Sequence, residues 1–186
     1  EECIKAGIKE IFVATKDPDK RVSGGGIKEL RAAGIKVNYG LLEKEATQLN
    51  LGFFSKVLRQ KPLITWKVAS SADGKIATKT GDSKWITKAL SRKIGHLLRA
   101  EHDAILTGIN TVLKDDPHLD CRLPGMKSRS PQPIVLDTRL RIPAKSKLMQ
   151  KERLPWIYAG SYISSSRRKK LEKLGAKVFL SKVNKQ

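Results

Sequence analysis

The sequence predicts an α/β protein built on largely parallel strands, and three observations support this class. Short apolar runs alternate with segments of helical periodicity along the whole chain. Glycine, proline or aspartate bounds many of these runs, as expected where strands pass into loops. The 186 residues are 39% hydrophobic, which is sufficient for a buried core. Strands separated by helices need crossover connections, and these favour parallel pairing.

Residues 1–60 predict a fragment in the order helix end, strand, helix, strand, helix. The expected strands are Glu10–Thr15 and Ile35–Tyr39, and the expected helices are Ile27–Ala33 and one long amphipathic helix from Leu42. Gly34 is placed to end the first of these helices. The segment Gln60-Lys61-Pro62 marks the expected boundary, so we predict domains at 1–60 and 61–186.

Residues 61–186 predict five further strands and two well-marked helices. The expected strands are Leu63–Ala69, Asp103–Thr107, Ile134–Asp137, Trp156–Ala159 and Lys177–Leu180. Leu90, Ile94, Leu97 and Leu98 form the apolar face of a helix that Thr87 is placed to cap. A basic helix is expected to begin after Ser164, which caps it, and to end at Gly175.

The formal charge of +20 is concentrated in residues 61–186, which contain 27 Lys and Arg residues but only 10 Asp and Glu residues. Such a balance favours polyanionic partners, namely nucleic acid, phosphorylated metabolites or NADPH. A solvated surface rich in lysine explains it equally well. Two cysteines do not make a disulfide scaffold, and no apolar run is long enough for a membrane helix. We therefore expect a cytoplasmic protein with no membrane association.

Two familiar ligand patterns are absent from residues 1–60. In Asp17–Leu30 the third glycine of a dinucleotide fingerprint would fall at Glu29, and no Gly-Lys-Ser/Thr sequence occurs. A turn without a ligand is favoured there. The His-x-Glu and Pro-Cys-x-x-Cys pattern of zinc deaminases is also missing, so no metal ligands are predicted.

Two later segments concentrate residues suited to ligand binding. The segment Lys67–Thr87 contains two turns, the hydroxyl of Ser83 and the ring of Trp85, which could bind a ligand. A hairpin with a buried tryptophan is a somewhat better explanation of the same segment. Thr107–Arg122 combines a strand end, a helix start, adjacent carboxylates and an arginine, and it fits a surface turn or a site equally well. Periodicity places Arg99 on the solvated face of its helix.

These segments together resemble the family of bifunctional riboflavin-biosynthesis deaminase/reductases. The matching stretches are Leu49–Phe54, Ser70–Gly74, Gly81–Thr87, Leu98–Gly108, Thr111–Arg122 and, more loosely, Pro131–Arg141. They cover nearly the whole chain in the family's domain order. The resemblance implies an incomplete reductase domain like that of dihydrofolate reductase, preceded by the C-terminal remnant of a cytidine-deaminase-like domain.

The resemblance also implies an activity. It is the NADPH-dependent reduction of 5-amino-6-(5-phosphoribosylamino)uracil to the ribitylamino compound, in a longer protein that also deaminates the preceding pyrimidine. Zinc is expected only in the deaminase part that this chain lacks, and a homo-oligomer is expected. The rival hypotheses are a basic nucleic-acid-binding α/β module and an inactive fragment.

The residue roles below are those that the resemblance implies. NADPH is expected to contact Ala69, Trp85, Thr111, Asp115 and Thr138, and the substrate is expected to contact Ser83, Arg99, Leu119 and Arg122. The planar guanidinium groups suit the sugar phosphate. Asp115 is our candidate for the catalytic polar residue. This assignment requires the segments around Ser83 and Thr111–Arg122 to meet at one cleft.

Overall fold

The computed structural model describes residues 1–22, 24–83, 86–150 and 152–182. It divides the chain into two compact units, Glu1–Trp66 and Lys67–Gln186. The division therefore lies between Trp66 and Lys67, whereas the sequence placed a boundary at Lys61. No helix in the described part of the chain has the length and apolar character needed to cross a membrane.

Among its described residues, the first unit is a parallel pair of strands with four helices. In chain order it contains α1 (Glu2–Lys5), β1 (Glu10–Val13), α2 (Gly25–Ala32), β2 (Lys36–Tyr39), α3 (Glu43–Leu49) and α4 (Leu51–Arg59). The strands pair with Ile11 opposite Val37. Helix α2 ends where Gly34 takes a positive φ of 80°, and the N–H of Ile35 returns to the carbonyl of Leu30 at 3.0 Å. The predicted glycine stop is thus confirmed.

One long helix from Leu42 was the wrong expectation, because the helix breaks at Asn50. The Asn50 side-chain amide donates to the carbonyl of Ala46 at 2.9 Å, and its backbone N–H donates to Thr47. An asparagine side chain that bonds to the backbone competes with helix propagation. The apolar period continues across the break, so periodicity alone did not reveal it.

In the described ranges, the second unit is a four-stranded parallel sheet with three helices and two single turns of 3₁₀ helix. It contains α5 (Ala89–Glu101), β3 (Ala104–Gly108), α6 (Ile109–Asp115), a 3₁₀ turn at Lys127–Arg129, β4 (Gln132–Leu136), a 3₁₀ turn at Lys147–Gln150, β5 (Trp156–Gly160), α7 (Ser165–Lys173) and β6 (Lys177–Ser181). The strands lie side by side in the order β3-β4-β5-β6. The predicted parallel α/β architecture is therefore confirmed.

The core of this unit lies where the sheet meets α6, α7 and the loop after β4. Val135, Leu140, Ile142, Leu148 and Ile157 have no exposed surface. Helix α7 begins as predicted, because the Ser164 hydroxyl accepts a hydrogen bond from the N–H of Arg167 at 3.5 Å. It ends before Gly175, whose φ is 93°.

Two expectations for residues 61–186 are corrected by the structure. Leu63–Ala69 forms no strand, and Ile64 and Trp66 remain 83% and 88% exposed. An apolar run becomes a strand only when it joins the hydrogen-bonded ladder of a sheet, and among the described residues this segment belongs to neither sheet. Thr87 does not cap α5, because the cap position is Lys88 and no side chain bonds there.

Gly175 provides a test of this packing. A Cβ at this position would lie 2.5 Å from Cδ1 of Leu154, and the positive φ adds backbone strain. We expect Gly175→Ala to lower the free energy of unfolding by about 2–4 kcal/mol, measured by urea denaturation.

Gly125→Ala is the matched control in the same unit. Gly125 also has a positive φ, of 72°, but nothing lies within 4 Å of an added Cβ. Only the backbone cost of about 1–2 kcal/mol should appear in this variant. Equal losses in both variants would show that Leu154 does not restrict Gly175.

Candidate functional site

The carboxyl ends of β3, β4 and β5 meet at one edge of the parallel sheet. An open cavity of about 380 Å³ lies there, lined by Ile109, Thr138, Arg139, Arg141 and Tyr162. We call these five residues the strand-end pocket. Ligands of open α/β sheets bind beyond the carboxyl ends of the strands, because the loops that leave them converge there.

The loop after β4 presents two arginines to this pocket. Asp137 is fully buried, and its Oδ2 accepts a hydrogen bond from the N–H of Ile142 at 2.7 Å. Leu140 has a positive φ of 54°, and its N–H donates to the carbonyl of Asp137 at 2.9 Å. Leu140 and Ile142 are therefore directed into the core, while Arg139 and Arg141 are exposed.

Helix α7 holds the other side of the same loop. The guanidinium of Arg167 donates from Nε to the carbonyl of Leu140 and from Nη2 to that of Ile142, the latter at 3.3 Å. The exposed arginines thus extend from a backbone that is fixed from two directions.

The loop after β5 closes the pocket through Gly160 and Tyr162. The N–H of Gly160 donates to the carbonyl of Thr138 at 2.9 Å. A Cβ on Gly160 would lie 2.9 Å from the Tyr162 ring and 3.0 Å from that carbonyl oxygen. Glycine therefore lets the tyrosine ring approach the end of β4 closely.

Helix α6 borders the pocket at the end of β3. Arg141 Nη2 donates to Asn110 Oδ1 at 2.9 Å, which ties the loop after β4 to the start of this helix. Thr111 and Asp115 are exposed on α6. Of the cofactor residues implied by the resemblance, Thr138 lines the pocket, and Thr111 and Asp115 lie on the helix that borders it.

The two remaining cofactor candidates are not in this group. Ala69 is half-buried in the irregular segment at the start of the second unit. Trp85 lies outside the described residues.

A second group, which we call the histidine–arginine cluster, consists of His96, Arg99, Asp120 and Arg122. Arg99 Nη1 donates to the carbonyl of Asp120 at 2.9 Å, and Arg122 Nε lies 3.6 Å from Asp120 Oδ1. The backbone N–H of Arg122 donates to His96 Nδ1 at 3.2 Å. The structure therefore brings together Arg99 and Arg122, which are 23 positions apart in the sequence.

Leu119 completes the grouping of three expected substrate residues. It is 7% exposed and has a positive φ of 53°, an unusual conformation for a branched residue. It directly precedes the Asp120 carbonyl that Arg99 binds. The expectation from helical periodicity that Arg99 is solvated is wrong, because the residue is half-buried and its side chain binds this segment.

Burial and like charge shape the electrostatics of the cluster. Burial lowers the pKa of His96, and the nearby positive charges of Arg99 and Arg122 lower it further. Burial also lowers the pKa of Arg99, with a contribution from the positive charge of Arg122. Two cations that disfavour each other's charge create a place where a bound anion is stabilised.

Ser83 is exposed and follows a turn that contacts α6. The turn closes with hydrogen bonds from Thr78 N–H to the Asp82 carbonyl at 2.8 Å and from Gly81 N–H to the Thr78 carbonyl at 2.9 Å. Lys114 Nζ donates to the carbonyl of Gly81 at 3.0 Å. This contact places the turn before Ser83 beside the segment that leads to Arg122.

His96, Arg139 and Tyr162 are polar residues of these two groups that the sequence analysis did not select. Arg139 carried a usable signal, since it lies three positions after the last residue of β4, in the loop at the strand end. His96 carried none, because its role arises from Arg122, which is distant in sequence. Within the described ranges no group of three or more His, Cys, Asp or Glu is arranged to hold a metal ion.

Comparison with curated proteins gives relatives that are named for one pathway. The riboflavin biosynthesis protein RibD of Aquifex aeolicus (strain VF5) is 45% identical over 174 residues, and that of Bacillus amyloliquefaciens is 41% identical over 177 residues. The alignments cover 94% and 95% of this chain but 48% and 47% of those relatives. The chain thus spans about half the length of the curated relatives that it matches.

Solved structures agree with this result. RibD of Acinetobacter baumannii (form 1) is 34% identical with a TM-score of 0.81, covering 99% of this chain and 51% of the other. A diaminohydroxyphosphoribosylaminopyrimidine deaminase/5-amino-6-(5-phosphoribosylamino)uracil reductase from Thermotoga maritima is 32% identical with a TM-score of 0.76, covering 97% and 56%. These likenesses confirm the predicted fold class.

The family described as the RibD C-terminal domain matches residues 62–186, which is most of the chain. Five of the six stretches that carried the resemblance, from Ser70 to Arg141, lie within that match, and Leu49–Phe54 precedes it. The chain therefore belongs to the RibD C-terminal domain family.

Proposed function

We propose that this chain carries the reductase part of a riboflavin-biosynthesis enzyme. The reaction is the NADPH-dependent reduction of 5-amino-6-(5-phosphoribosylamino)uracil to its ribitylamino product. Family membership supports the reaction class. The observation that carries the proposal is the histidine–arginine cluster, because it offers two guanidinium groups to a phosphate within the matched domain.

The substrate phosphate is assigned to Arg99 and Arg122. Arg122 is 62% exposed at its side chain, so its guanidinium is accessible to a ligand. Arg99 uses Nη1 to hold Asp120, which leaves its other N–H groups for a phosphate. A planar guanidinium can bind a phosphate through two parallel hydrogen bonds, so this pair suits a sugar phosphate.

His96 is proposed as the residue that positions Arg122. Because its pKa is lowered, the ring is neutral near pH 7 and keeps Nδ1 as an acceptor for the Arg122 N–H. A protonated ring would have no acceptor to offer. The neutral state thus fixes the backbone from which the phosphate-binding side chain extends.

NADPH is assigned to the edge of the sheet, with Thr138 at the strand-end pocket and Thr111 and Asp115 on α6. The residues present fit such a group, since the pocket holds two cations and a phenol ring, with a glycine at its edge. The bound nicotinamide would supply hydride. Asp115 remains our proposal for the polar group nearest that chemistry, and Ala69, Trp85, Ser83 and Leu119 remain proposed contacts.

The first unit is proposed to be the C-terminal part of a deaminase domain, within residues 1–60. In the longer protein that domain would deaminate the preceding pyrimidine with zinc held by residues outside this chain. A cytoplasmic location and a homo-oligomeric state are proposed with it. No comparison favours the rival hypothesis of a nucleic-acid-binding module.

The cofactor assignment predicts a preference for NADPH over NADH. Titration of the protein with each dinucleotide, followed by nicotinamide fluorescence, should give tighter binding for NADPH. Absent binding, or equal affinities, would contradict the NADPH assignment.

The substrate assignment predicts that Arg122→Ala raises KM by roughly tenfold to a hundredfold, because a charge-assisted phosphate contact is lost. Steady-state kinetics of the reductase reaction measure this change. Lys127→Ala removes a nearby exposed charge and serves as the control, with an unchanged KM expected. An unaltered KM in Arg122→Ala would remove the phosphate role.

The role of His96 predicts two linked effects. His96→Ala should raise KM more than it lowers kcat, whereas His96→Asn should restore KM, because the amide oxygen can accept from the Arg122 N–H. A KM that stays raised in the asparagine variant would argue against positioning by this hydrogen bond.

The pKa of His96 predicts a dependence of stability on pH. Its folded-state pKa lies below the unfolded value of about 6.5, so the unfolded chain takes up the proton first as pH falls. The free energy of unfolding should therefore decrease as pH drops below about 6.5, and less steeply in His96→Asn. Urea denaturation from pH 7.5 to pH 5 measures the difference, and parallel curves would contradict the assignment.

A further inference from the structure

We propose that Ser130 is a positioning residue for the substrate phosphate, because it fixes the backbone that orients Arg99 and Arg122. The inference rests on the proposed function and adds one residue to its phosphate site. Ser130 lies between the 3₁₀ turn at Lys127–Arg129 and the start of β4, so it connects the histidine–arginine cluster to the sheet.

One peptide unit of the cluster is held from both sides. The carbonyl of Asp120 and the N–H of Cys121 belong to the same peptide bond, and in a planar trans peptide these two groups point in opposite directions. Arg99 Nη1 donates to the carbonyl at 2.9 Å, and Ser130 Oγ accepts from the N–H at 3.0 Å. Arg99 and Ser130 together therefore determine the orientation of this peptide plane.

The hydroxyl of Ser130 is itself fixed in the orientation that this contact needs. It donates its proton to the carbonyl of Lys127 at 2.7 Å, so its lone pairs face the N–H of Cys121 as acceptors. The backbone N–H of Ser130 donates to the same Lys127 carbonyl at 3.1 Å, and Arg153 donates from Nη1 to the carbonyl of Ser130. The serine is thus held on both sides of its side chain.

The group that Ser130 binds is buried. Cys121 is 1% exposed, and its Sγ lies 3.4 Å from the carbonyl of His96. A buried N–H without an acceptor is unfavourable, so removal of the Ser130 hydroxyl favours rotation of the peptide plane toward another acceptor. Such a rotation would turn the Asp120 carbonyl away from Arg99.

Both phosphate-binding arginines depend on this plane. The Asp120 carbonyl orients the guanidinium of Arg99, and Arg122 directly follows Cys121 in the chain. Side chains that are held in place before a ligand arrives lose less conformational freedom on binding. Ser130 therefore contributes to phosphate affinity through the two arginines.

The backbone before this peptide also needs support from its surroundings. Leu119 has a positive φ of 53°, a conformation that costs a branched residue free energy and persists only when neighbouring contacts maintain it. The hydrogen bond from the Cys121 N–H to Ser130 is one such contact, two residues further along the chain.

Ser130→Ala in the full chain tests the inference. Calorimetry with ribose 5-phosphate measures phosphate binding directly, and NADPH fluorescence measures the cofactor site. The Kd of ribose 5-phosphate and the KM of the reductase substrate should rise by about threefold to tenfold, the factor that corresponds to one neutral hydrogen bond. The kcat should change less than KM, and the affinity for NADPH should be unchanged.

Three further variants control for side effects. Ser130→Thr keeps the hydroxyl and suits the extended backbone at φ −62° and ψ 131°, so it should bind ribose 5-phosphate like the wild type. Ser128→Ala removes an exposed hydroxyl of the same 3₁₀ turn and should also bind like the wild type. If urea denaturation shows that Ser130→Ala is unfolded, Ser130→Cys replaces it, because sulfur is a weak acceptor of similar size.

A double-mutant cycle tests whether Ser130 acts through Arg99. In an Arg99→Ala background the side chain that the peptide plane orients is already absent, so adding Ser130→Ala should weaken ribose 5-phosphate binding less than it does in the wild type. Fully additive losses would mean that the serine does not act through this arginine, and would overturn the inference.

The outcomes separate this inference from the proposed function. Unchanged phosphosugar affinity in Ser130→Ala, or equal loss of phosphosugar and NADPH binding, overturns the inference and leaves the reductase proposal intact. Absence of ribose 5-phosphate binding by the wild type overturns the phosphate assignment and the inference together. Phosphosugar binding that depends on Ser130, without reductase activity, would support the inference and defeat the proposed reaction.

Discussion

The hydrogen bond from the Ile142 N–H to the buried carboxylate of Asp137 is the interaction on which the strand-end pocket depends. It closes the loop after β4 over Leu140 and fixes which side chains are directed inward. Arg167 secures the same loop from α7 by binding two of its carbonyl groups. Without this closure the loop would be free to rotate, and the alternation of buried leucine and isoleucine with exposed arginine would be lost.

This loop places two arginines at the surface above apolar side chains and the buried carboxylate of Asp137. Leu140 and Ile142 have no exposed surface, while the residues between and beside them are exposed. Burial of these two side chains stabilises the fold by about 1.5–3 kcal/mol each. The stability of the loop and the presentation of its arginines therefore come from the same backbone conformation.

In the histidine–arginine cluster, the main electrostatic feature is the repulsion between two arginine side chains. Arg99 and Arg122 repel each other, and the carbonyl and carboxylate of Asp120 offset only part of that repulsion. A neutral His96 avoids adding a third positive charge and still satisfies the N–H of Arg122. Sites that hold like charges together are often less stable than the rest of a fold, and a bound anion relieves the strain.

Local chain chemistry explains which elements the sequence predicted well. Gly34, Gly175 and Ser164 were correctly placed at helix ends because a glycine stop or a serine cap acts on atoms only a few residues away. The break at Asn50 was missed although it is also local, because the apolar period runs across it. Leu63–Ala69 failed as a strand for a different reason, since strand formation depends on a partner that no local pattern specifies.

Some features of the candidate site could likewise be predicted from the sequence, and others could not. The sequence by itself determined the parallel α/β class, the family and the motif residues Arg99, Leu119 and Arg122, because composition, period and motif are properties of the chain order. Only the tertiary structure decided that His96 faces Arg122, that Asp137 is buried and that Arg139 and Tyr162 share a pocket. These relations join residues between 5 and 26 positions apart whose side chains and backbone groups meet only after strands pair and loops close, so no local signal encodes them.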